Sequence, residues 1–413
     1  MSEKNTHAHC NHYVTRKKRF CRMTVKEGEQ FCGEHQTALN NEGPSNASGQ
    51  NIRIVCPLDS KHTCYASKLK KHLKKCNAKP SQDVPYLQKN VNVEVESTSQ
   101  TRSLANMPVP QLLEVIAKVN KIHKDIQNSI QEKLATHSVL DEELGNPAYG
   151  PATKKHLVQV SSILGLLQEY NLLQDDTCFV ELGAGKGKVS YWLAKTLELL
   201  RHSSSSVLLV ERASLRHKHD NKLDKTDVSV VRIRADIADL LLPEIDTIAK
   251  AKHVVGVTKH LCGDATDLAL TCLMNCQSSG KDVTGMVMTF CCLHRCHWNT
   301  YVGKHFFEHV GINSVDFDIM CGLVSWAVCG SGQSREKRKN DESGLGENER
   351  YTQIGLNRCE KETVGKKCKD LINWGRKIYL QNQGFNCDLC YYVNSNITLE
   401  NVCIIAMKAN KEV

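Results

Sequence analysis

One stretch limits what this chain can fold into: Thr177-Cys-Phe-Val-Glu-Leu-Gly-Ala-Gly-Lys-Gly-Lys-Val-Ser190. It opens as an apolar strand, breaks at Gly183, Gly185 and Gly187, and continues with Val189, Trp192, Leu193 and Leu197 at helical spacing. The pattern is strand, tight turn, helix. At such a turn the missing β-carbons let backbone approach a ligand, and the free N–H groups of the helix point at it. Two common ligand classes fail on spacing. A phosphate loop requires Gly-x4-Gly-Lys-Ser/Thr, and a dinucleotide turn requires Gly-x-Gly-x-x-Gly. Counted from Gly183, the second glycine of the first pattern and the third of the second both fall on Lys188.

Glu181-x-Gly183-x-Gly185-x-Gly187 resembles instead the first motif of class I S-adenosylmethionine-dependent methyltransferases. That cofactor carries a cationic sulfonium and an amino-acid tail but no phosphate, so an acidic residue at the strand end suits it. The next strand, Ser206 to Glu211, ends in a second acid placed to accept hydrogen bonds from ribose hydroxyls. A third runs from Val228 to Asp236, and Asp236 resembles the acid near the adenine amine in this superfamily. The plainer role for Asp236 is to cap the following helix.

Strand and helix patterns then keep alternating, which predicts an α/β, Rossmann-like, doubly wound domain over residues 151–413. A fourth strand ends at Lys259-His260 and a fifth at Phe290, followed by Cys291-Cys-Leu-His-Arg-Cys296. Ligands in open sheets bind beyond the carboxyl ends of strands. Lys259, His260, Asp264, Cys292, His294 and Arg295 are therefore expected around the reacting group. The segments Leu389–Val393 and Val402–Met407 should close the sheet as an antiparallel hairpin.

Charge separates the N-terminus from this body. Residues 1–80 hold 15 Lys+Arg against 6 Asp+Glu, the whole net charge of +9, and the remainder balances at 39 against 39. A basic end on a neutral body suits an accessory module that meets a polyanion. Cysteine spacing shows how that module holds together. Over residues 1–36, Cys10, Cys21, Cys32 and His35 form Cys-x10-Cys-x10-Cys-x2-His, and over 52–78 Cys56, His62, His72 and Cys76 form Cys-x5-His-x9-His-x3-Cys. Each set offers four ligands to one tetrahedral zinc, giving two structural ions. His72 and Cys76 lie one helical turn apart, and Cys64 is surplus. Arg16-Lys-Lys-Arg19-Phe20 sets basic residues beside an aromatic, as a nucleic-acid contact requires.

Between fingers and body, residues 79–150 read as a linker: polar and without regular structure over 80–103, then an amphipathic helix with Leu112, Ile116, Val119, Ile126, Ile130 and Leu134. Gly330 to Lys339 lies in a solvated, disordered insertion spanning about 330–350. No signal-peptide pattern or 18-residue apolar run is present, so an intracellular protein of nucleus or cytoplasm is expected.

Two fingers of this kind ahead of a methyltransferase domain resemble the eukaryotic tRNA 2'-O-methyltransferase family that modifies nucleotide 4 of the acceptor stem. The resemblance rests on both fingers, on Phe179 to Lys188, on Lys259-His-Leu-Cys-Gly263 with Ala265 to Leu270, and on Cys291 to Cys296. It implies tRNA as partner, S-adenosylmethionine as donor and a ribose hydroxyl as acceptor. Lys259, His260 or His294 would take the hydroxyl proton and Arg295 would bind the neighbouring phosphate. The Lys-Asp-Lys-Glu tetrad of some ribose methyltransferases is not evident, which leaves the base open. Two alternatives compete. Cys292 would make the enzyme a carbon-5 base methyltransferase, without the proline that commonly precedes such a nucleophile; the plainer reading has Cys291 and Cys292 pack or bind metal with His294, Cys296 and His297. A degenerate body would leave a non-catalytic zinc-finger RNA-binding adaptor.

Overall fold

The computed structural model describes residues 9–14, 19–25, 28–32, 35, 53–76, 84–94, 104, 107–213, 227–328 and 354–409, the side chains of 53, 59–62, 75 and 328 apart. The polar stretch 37–51 between the two cysteine sets, whose glycine, proline and serine content reads as a flexible linker, the insertion near 330–350 and the basic run at 16–18 lie outside the described residues. The chain divides into two compact units, Met1–Asp83 and Val84–Val413.

The first unit is built from small hairpins. Strands β1 (Tyr13–Val14) and β2 (Arg19–Phe20) pair antiparallel, as do β3 (Arg53–Cys56) and β4 (Asp59–Tyr65), and helix α1 (Leu69–Lys75) follows. Elements this short bury little apolar surface and need a further source of stability.

The second unit starts with helix α2 (Val109–Ile126), strand β5 (Gln131–Glu132) and helix α3 (Pro151–Glu169). Then come β6 (Thr177–Leu182), α4 (Lys188–Leu199), β7 (Ser206–Val210), β8 (Ser229–Ile233), β9 (His253–Cys262), α5 (Asp264–Ser278) and β10 (Asp282–Cys291). Helices α6 (Ser314–Val328) and α7 (Arg358–Asn382) precede β11 (Phe385–Tyr391) and β12 (Val402–Lys408). The sheet order is β5-β11-β12-β10-β9-β6-β7-β8. Strands β8, β7, β6, β9 and β10 run parallel; β12 runs antiparallel to both β10 and β11. The order reverses between β6 and β9, so a crevice opens at their carboxyl ends.

Apolar layers cover both faces of the sheet. One packs α3 and α4 through Ile163, Leu164, Leu167 and Leu193; the other packs α2, α5, α6 and α7 through Val119, Leu273, Phe317 and Leu371. Beneath the second layer lies a buried ion pair, in which Arg376 donates from Nε to Asp267 Oδ1 (3.0 Å) and from Nη2 to Asp267 Oδ2 (2.6 Å).

Two expectations for the linker need correction. Residues 84–94 are not a free polar tether, because Leu87 bridges to Leu240 and Gln88 N–H donates to Asp239 O at 2.8 Å. Buried Asn92 also donates to Ile237 O (2.6 Å) and Leu240 O (2.8 Å). Its polar residues satisfy backbone carbonyls of the body, which composition alone does not reveal. Helix α2 also stops at Ile126, short of Ile130 and Leu134; Asn128 takes φ +73° and the chain turns into β5. Among the described residues, no helix is long and apolar enough to cross a membrane.

Candidate active site and metal centres

At the end of β6 the chain turns through Gly183 (φ +73°), Gly185 (φ +52°) and Gly187 (φ +70°), conformations that side chains strain to adopt. A β-carbon on Gly183 would lie 2.8 Å from Leu261 Cδ1, whereas one on Gly185 would meet nothing within 4 Å. Backbone is thus bare on the side a ligand would approach. Glu211, just past β7, spans this cradle, accepting from Gly185 N–H at 2.9 Å and Ala213 N–H at 2.7 Å. Asp236 takes the plainer of its two roles here, accepting from Ala238 N–H at 3.2 Å as a helix cap and pairing with Arg212 at 3.0 Å.

Glu181 is buried under the turn and accepts from the Ser190 N–H at 2.9 Å and from the Ser190 hydroxyl. Burial lifts its pKa to about 7, against the lowering effect of those bonds and of Arg232 and Lys259. Lys259 at the end of β9 is only 6% exposed, and its Nζ donates to Gln159 Oε1 at 2.7 Å. Burial, then the Lys188 cation, brings its pKa down to about 7, with Glu181 and Cys291 opposing. His260 reaches solvent at its surface yet is lowered too, by partial desolvation of its ring and then by the charge of Lys259. His156 on α3 is lowered to about 3 by burial and by Lys259, Lys188 and His260 in turn. These mutual influences place His156, Gln159, Lys188, Lys259 and His260 around one point at the end of β9.

Strand spacing predicted Lys259 and His260 near this point; it gave no sign of His156 and Gln159 beside them. Their signal was weak: His156 and Gln159 stand three apart at the start of the helical pattern, which places them on one helix face.

After β10, Cys292 takes φ +53° and a single turn, Leu293–Arg295, presents His294 and Arg295 to solvent. Gly263 (φ +56°) packs directly on it, since a β-carbon there would lie 2.6 Å from Arg295 O. Asp264 serves this loop from below: it accepts from His297 N–H and Thr300 Oγ1, both at 2.7 Å, and pairs with the His297 ring. A metal cluster of Cys291 and Cys292 with His294, Cys296 and His297 is not what forms. Cys296 Sγ instead accepts from Arg376 Nη2 at 3.2 Å, and His297 is held by Asp264. Cys291 and Cys292 lie with Cys262, the three sulfurs within 4.8 Å of one another. Burial raises Cys292 to about 11, which disfavours the thiolate a carbon-5 mechanism needs.

The first unit gathers the predicted zinc ligands. His35 Nδ1 lies 3.4 Å from Cys10 Sγ and 3.3 Å from Cys32 Sγ, and Cys21 Sγ lies 3.9 Å from Cys32 Sγ. Tetrahedral zinc with ordinary bond lengths sets S···S near ~3.8 Å and S···N near ~3.5 Å, so the set fits. His12 stacks on His35 at 3.8 Å and so supports a ligand rather than acting as one. In the second set Cys56 Sγ lies 3.6 Å from Cys76 Sγ and 3.2 Å from His72 Nε2. Cys76 is the residue at which α1 ends rather than part of it, and buried Cys64 stays outside the group. His62 lies on β4, and its side chain falls outside the described residues. Replacing Cys32 with Ser is expected to lower bound zinc from two ions to one per chain, measured by atomic emission on the full chain. Apparent binding free energies of about 10–16 kcal/mol for structural zinc imply that the first finger then loses its fold.

Comparison with known proteins agrees with this division. The family described as "Methyltransferase TRM13" matches residues 158–407, "CCCH zinc finger in TRM13 protein" matches 8–36, and "U11-48K-like CHHC zinc finger" matches 53–77. Relatives named "tRNA:m(4)X modification enzyme TRM13 homolog" are 34% identical in Mus musculus, covering 97% of this chain and 94% of theirs, and 35% identical in Homo sapiens, covering 96% and 94%. The Saccharomyces cerevisiae relative, "tRNA:m(4)X modification enzyme TRM13", is 28% identical over 97% of this chain and 96% of its own. With the three matched regions in the same order as the two metal sets and the glycine-turn sheet, and relatives aligned nearly end to end, this chain belongs to the TRM13 methyltransferase family.

Proposed function

We propose that the protein transfers a methyl group from S-adenosylmethionine to the ribose 2'-hydroxyl of nucleotide 4 in a tRNA acceptor stem. The observation that carries this reading is Lys259: a buried amine, close to neutral at physiological pH, at the carboxyl end of the strand beside the glycine turn. Its relatives' names supply tRNA and position 4. The ribose oxygen comes from the family resemblance, and a base at Lys259 suits it.

A bound sulfonium donor supplies an electrophilic methyl; the chain must place an oxygen nucleophile in line and take its proton. Lys259 suits the second task, because a base works best when its pKa lies near the operating pH. Gln159 holds the amine in place, and Lys188 disfavours its charged form. On this reading Glu211 accepts from the donor's ribose hydroxyls and the bare backbone at Gly185 permits its close approach. Asp236, occupied by the Ala238 N–H and Arg212, would meet the adenine amine only by exchanging one of those partners. Exposed His294 and Arg295 stand where the RNA backbone would pass, with Arg295 suited to a phosphate. The shallow minor groove of an acceptor stem displays its 2'-hydroxyls, and the fingers would grip the RNA from their basic surface.

The test is an acceptor in which nucleotide 4 alone is 2'-deoxy. Transfer is expected to vanish while RNA binding persists; undiminished transfer would overturn the ribose assignment. Glu211→Ala is expected to weaken cofactor binding about tenfold, roughly 1.4 kcal/mol for a charge-assisted hydrogen bond, by calorimetry. A chain that binds no S-adenosylmethionine at all would support the adaptor reading.

A further inference from the structure

We infer that Cys262 and Cys291 are a peroxide-reactive thiol pair that closes to a reversible disulfide at the carboxyl ends of β9 and β10. The two residues are register partners on adjacent parallel strands, and their sulfurs lie 3.0 Å apart. Paired strands run about 4.8 Å apart, within the Cα separations that disulfides bridge without moving backbone. The same molecule shows what sulfurs arranged for a metal look like: 3.9 Å for Cys21 to Cys32 and 3.6 Å for Cys56 to Cys76, near the ~3.8 Å that tetrahedral zinc requires. At 3.0 Å, Cys262 and Cys291 are too close for two thiolates on one zinc. The two sulfurs are already in close contact, so an S–S bond of about 2.05 Å needs only a small further approach.

Access and protonation are divided between the partners. Cys262 is exposed and Cys291 buried, so an oxidant in solution meets Cys262 first. The hydrogen bond from Cys291, then that from Cys292 and the charge of Arg295, lower Cys262 to about 6 against burial, while Cys291 is pushed up and keeps its proton. The thiolate is the reactive form, and low-pKa accessible thiolates next to a second cysteine are those that oxidise reversibly.

The chemistry balances with a hydroperoxide as the named oxidant. The Cys262 thiolate attacks the outer oxygen, the O–O bond breaks, and the departing hydroxide or alkoxide takes up a proton. Cys262 becomes a sulfenic acid. The Cys291 sulfur then attacks the Cys262 sulfur as its own proton leaves with the hydroxyl as water, and the S–S bond forms. Two thiols are oxidised and one peroxide is reduced to two hydroxylic products. A dithiol reverses the step by exchange. Closure removes a negative charge from beside Arg295 and ties β9 two residues beyond His260, on the face that His260 shares.

The experiment uses the full zinc-loaded chain, treated with hydrogen peroxide, alkylated, digested and mapped by tandem mass spectrometry. A cross-link between Cys262 and Cys291 that is lost after dithiothreitol is expected. Cys291→Ser should lose the cross-link and leave Cys262 as a sulfenic acid trapped by dimedone. In the untreated chain, which needs no variant to fold, iodoacetamide should label Cys262 at least tenfold faster than Cys291. Zinc is counted on the same reduced sample. A cross-link from Cys262 to Cys292 or to a finger cysteine, no cross-link at all, or a third zinc held by these sulfurs would each overturn the proposal. None of these readouts depends on methyl transfer, so the thiol pair stands or falls apart from the proposed function.

Discussion

Replacing Lys259 with Gln is expected to lower kcat by about 10²–10⁴, the usual contribution of a positioned general base, while calorimetry shows S-adenosylmethionine still bound. Lys259→Arg should be as inactive, because a guanidinium holds its proton at any working pH. The pH profile separates Lys259 from its neighbour. A base must be deprotonated to act, and burial brings Lys259 to about 7, so the rate should climb as pH rises through about 7 and level off above it. A limb well below 7 would point to His260, which burial and the Lys259 charge lower from the ordinary imidazole value. Glu181, lifted to about 7 by its own burial, is coupled to the same step. Glu181→Gln should therefore move the limb; Glu211→Ala, out on the rim, should leave it in place.

The second large effect falls on stability. Asp267 and Arg376 are both fully buried, and Arg376 has two bonds to Asp267 and further bonds to Asn373 Oδ1 (3.0 Å) and Cys296 Sγ (3.2 Å). Asp267→Ala strands the guanidinium in the core and is expected to destabilise the second unit by about 3–5 kcal/mol. The double change Asp267→Leu with Arg376→Met removes both charges and should cost much less. Denaturant unfolding followed by tryptophan fluorescence isolates this unit, because Trp192, Trp298, Trp326 and Trp374 all lie within it. Equal losses in the single and double variants would show that the pair's charges do not matter.

What the sequence revealed and what it hid divide along contact range. The glycine turn, the acids at strand ends and the alternation of strand and helix are local signals, and each lands where spacing placed it, including the antiparallel β11–β12 closure. The metal sets were legible because ligand spacing is itself a geometric constraint. Long-range partners were not. Gln159 reaches Lys259 across 100 positions, and Asn92 reaches Leu240 across 148, with nothing in either stretch to name the other. Likewise Cys291 and Cys292 read as part of a local cluster with Cys296, whereas strand register pairs Cys291 with Cys262. Periodicity ran α2 on through Ile130 because it counts apolar residues, not the left-handed turn at Asn128.

The most direct test of the central claim is the chemical identity of the product. The full chain is incubated with labelled S-adenosylmethionine and transcribed tRNA, and the RNA is digested to nucleosides and analysed by mass spectrometry. The proposed function predicts a nucleoside methylated on its ribose 2'-oxygen, mapping to nucleotide 4 of the acceptor stem and absent with Lys259→Gln. A methyl group on a base, with unmodified ribose, would contradict that account and return attention to Cys292.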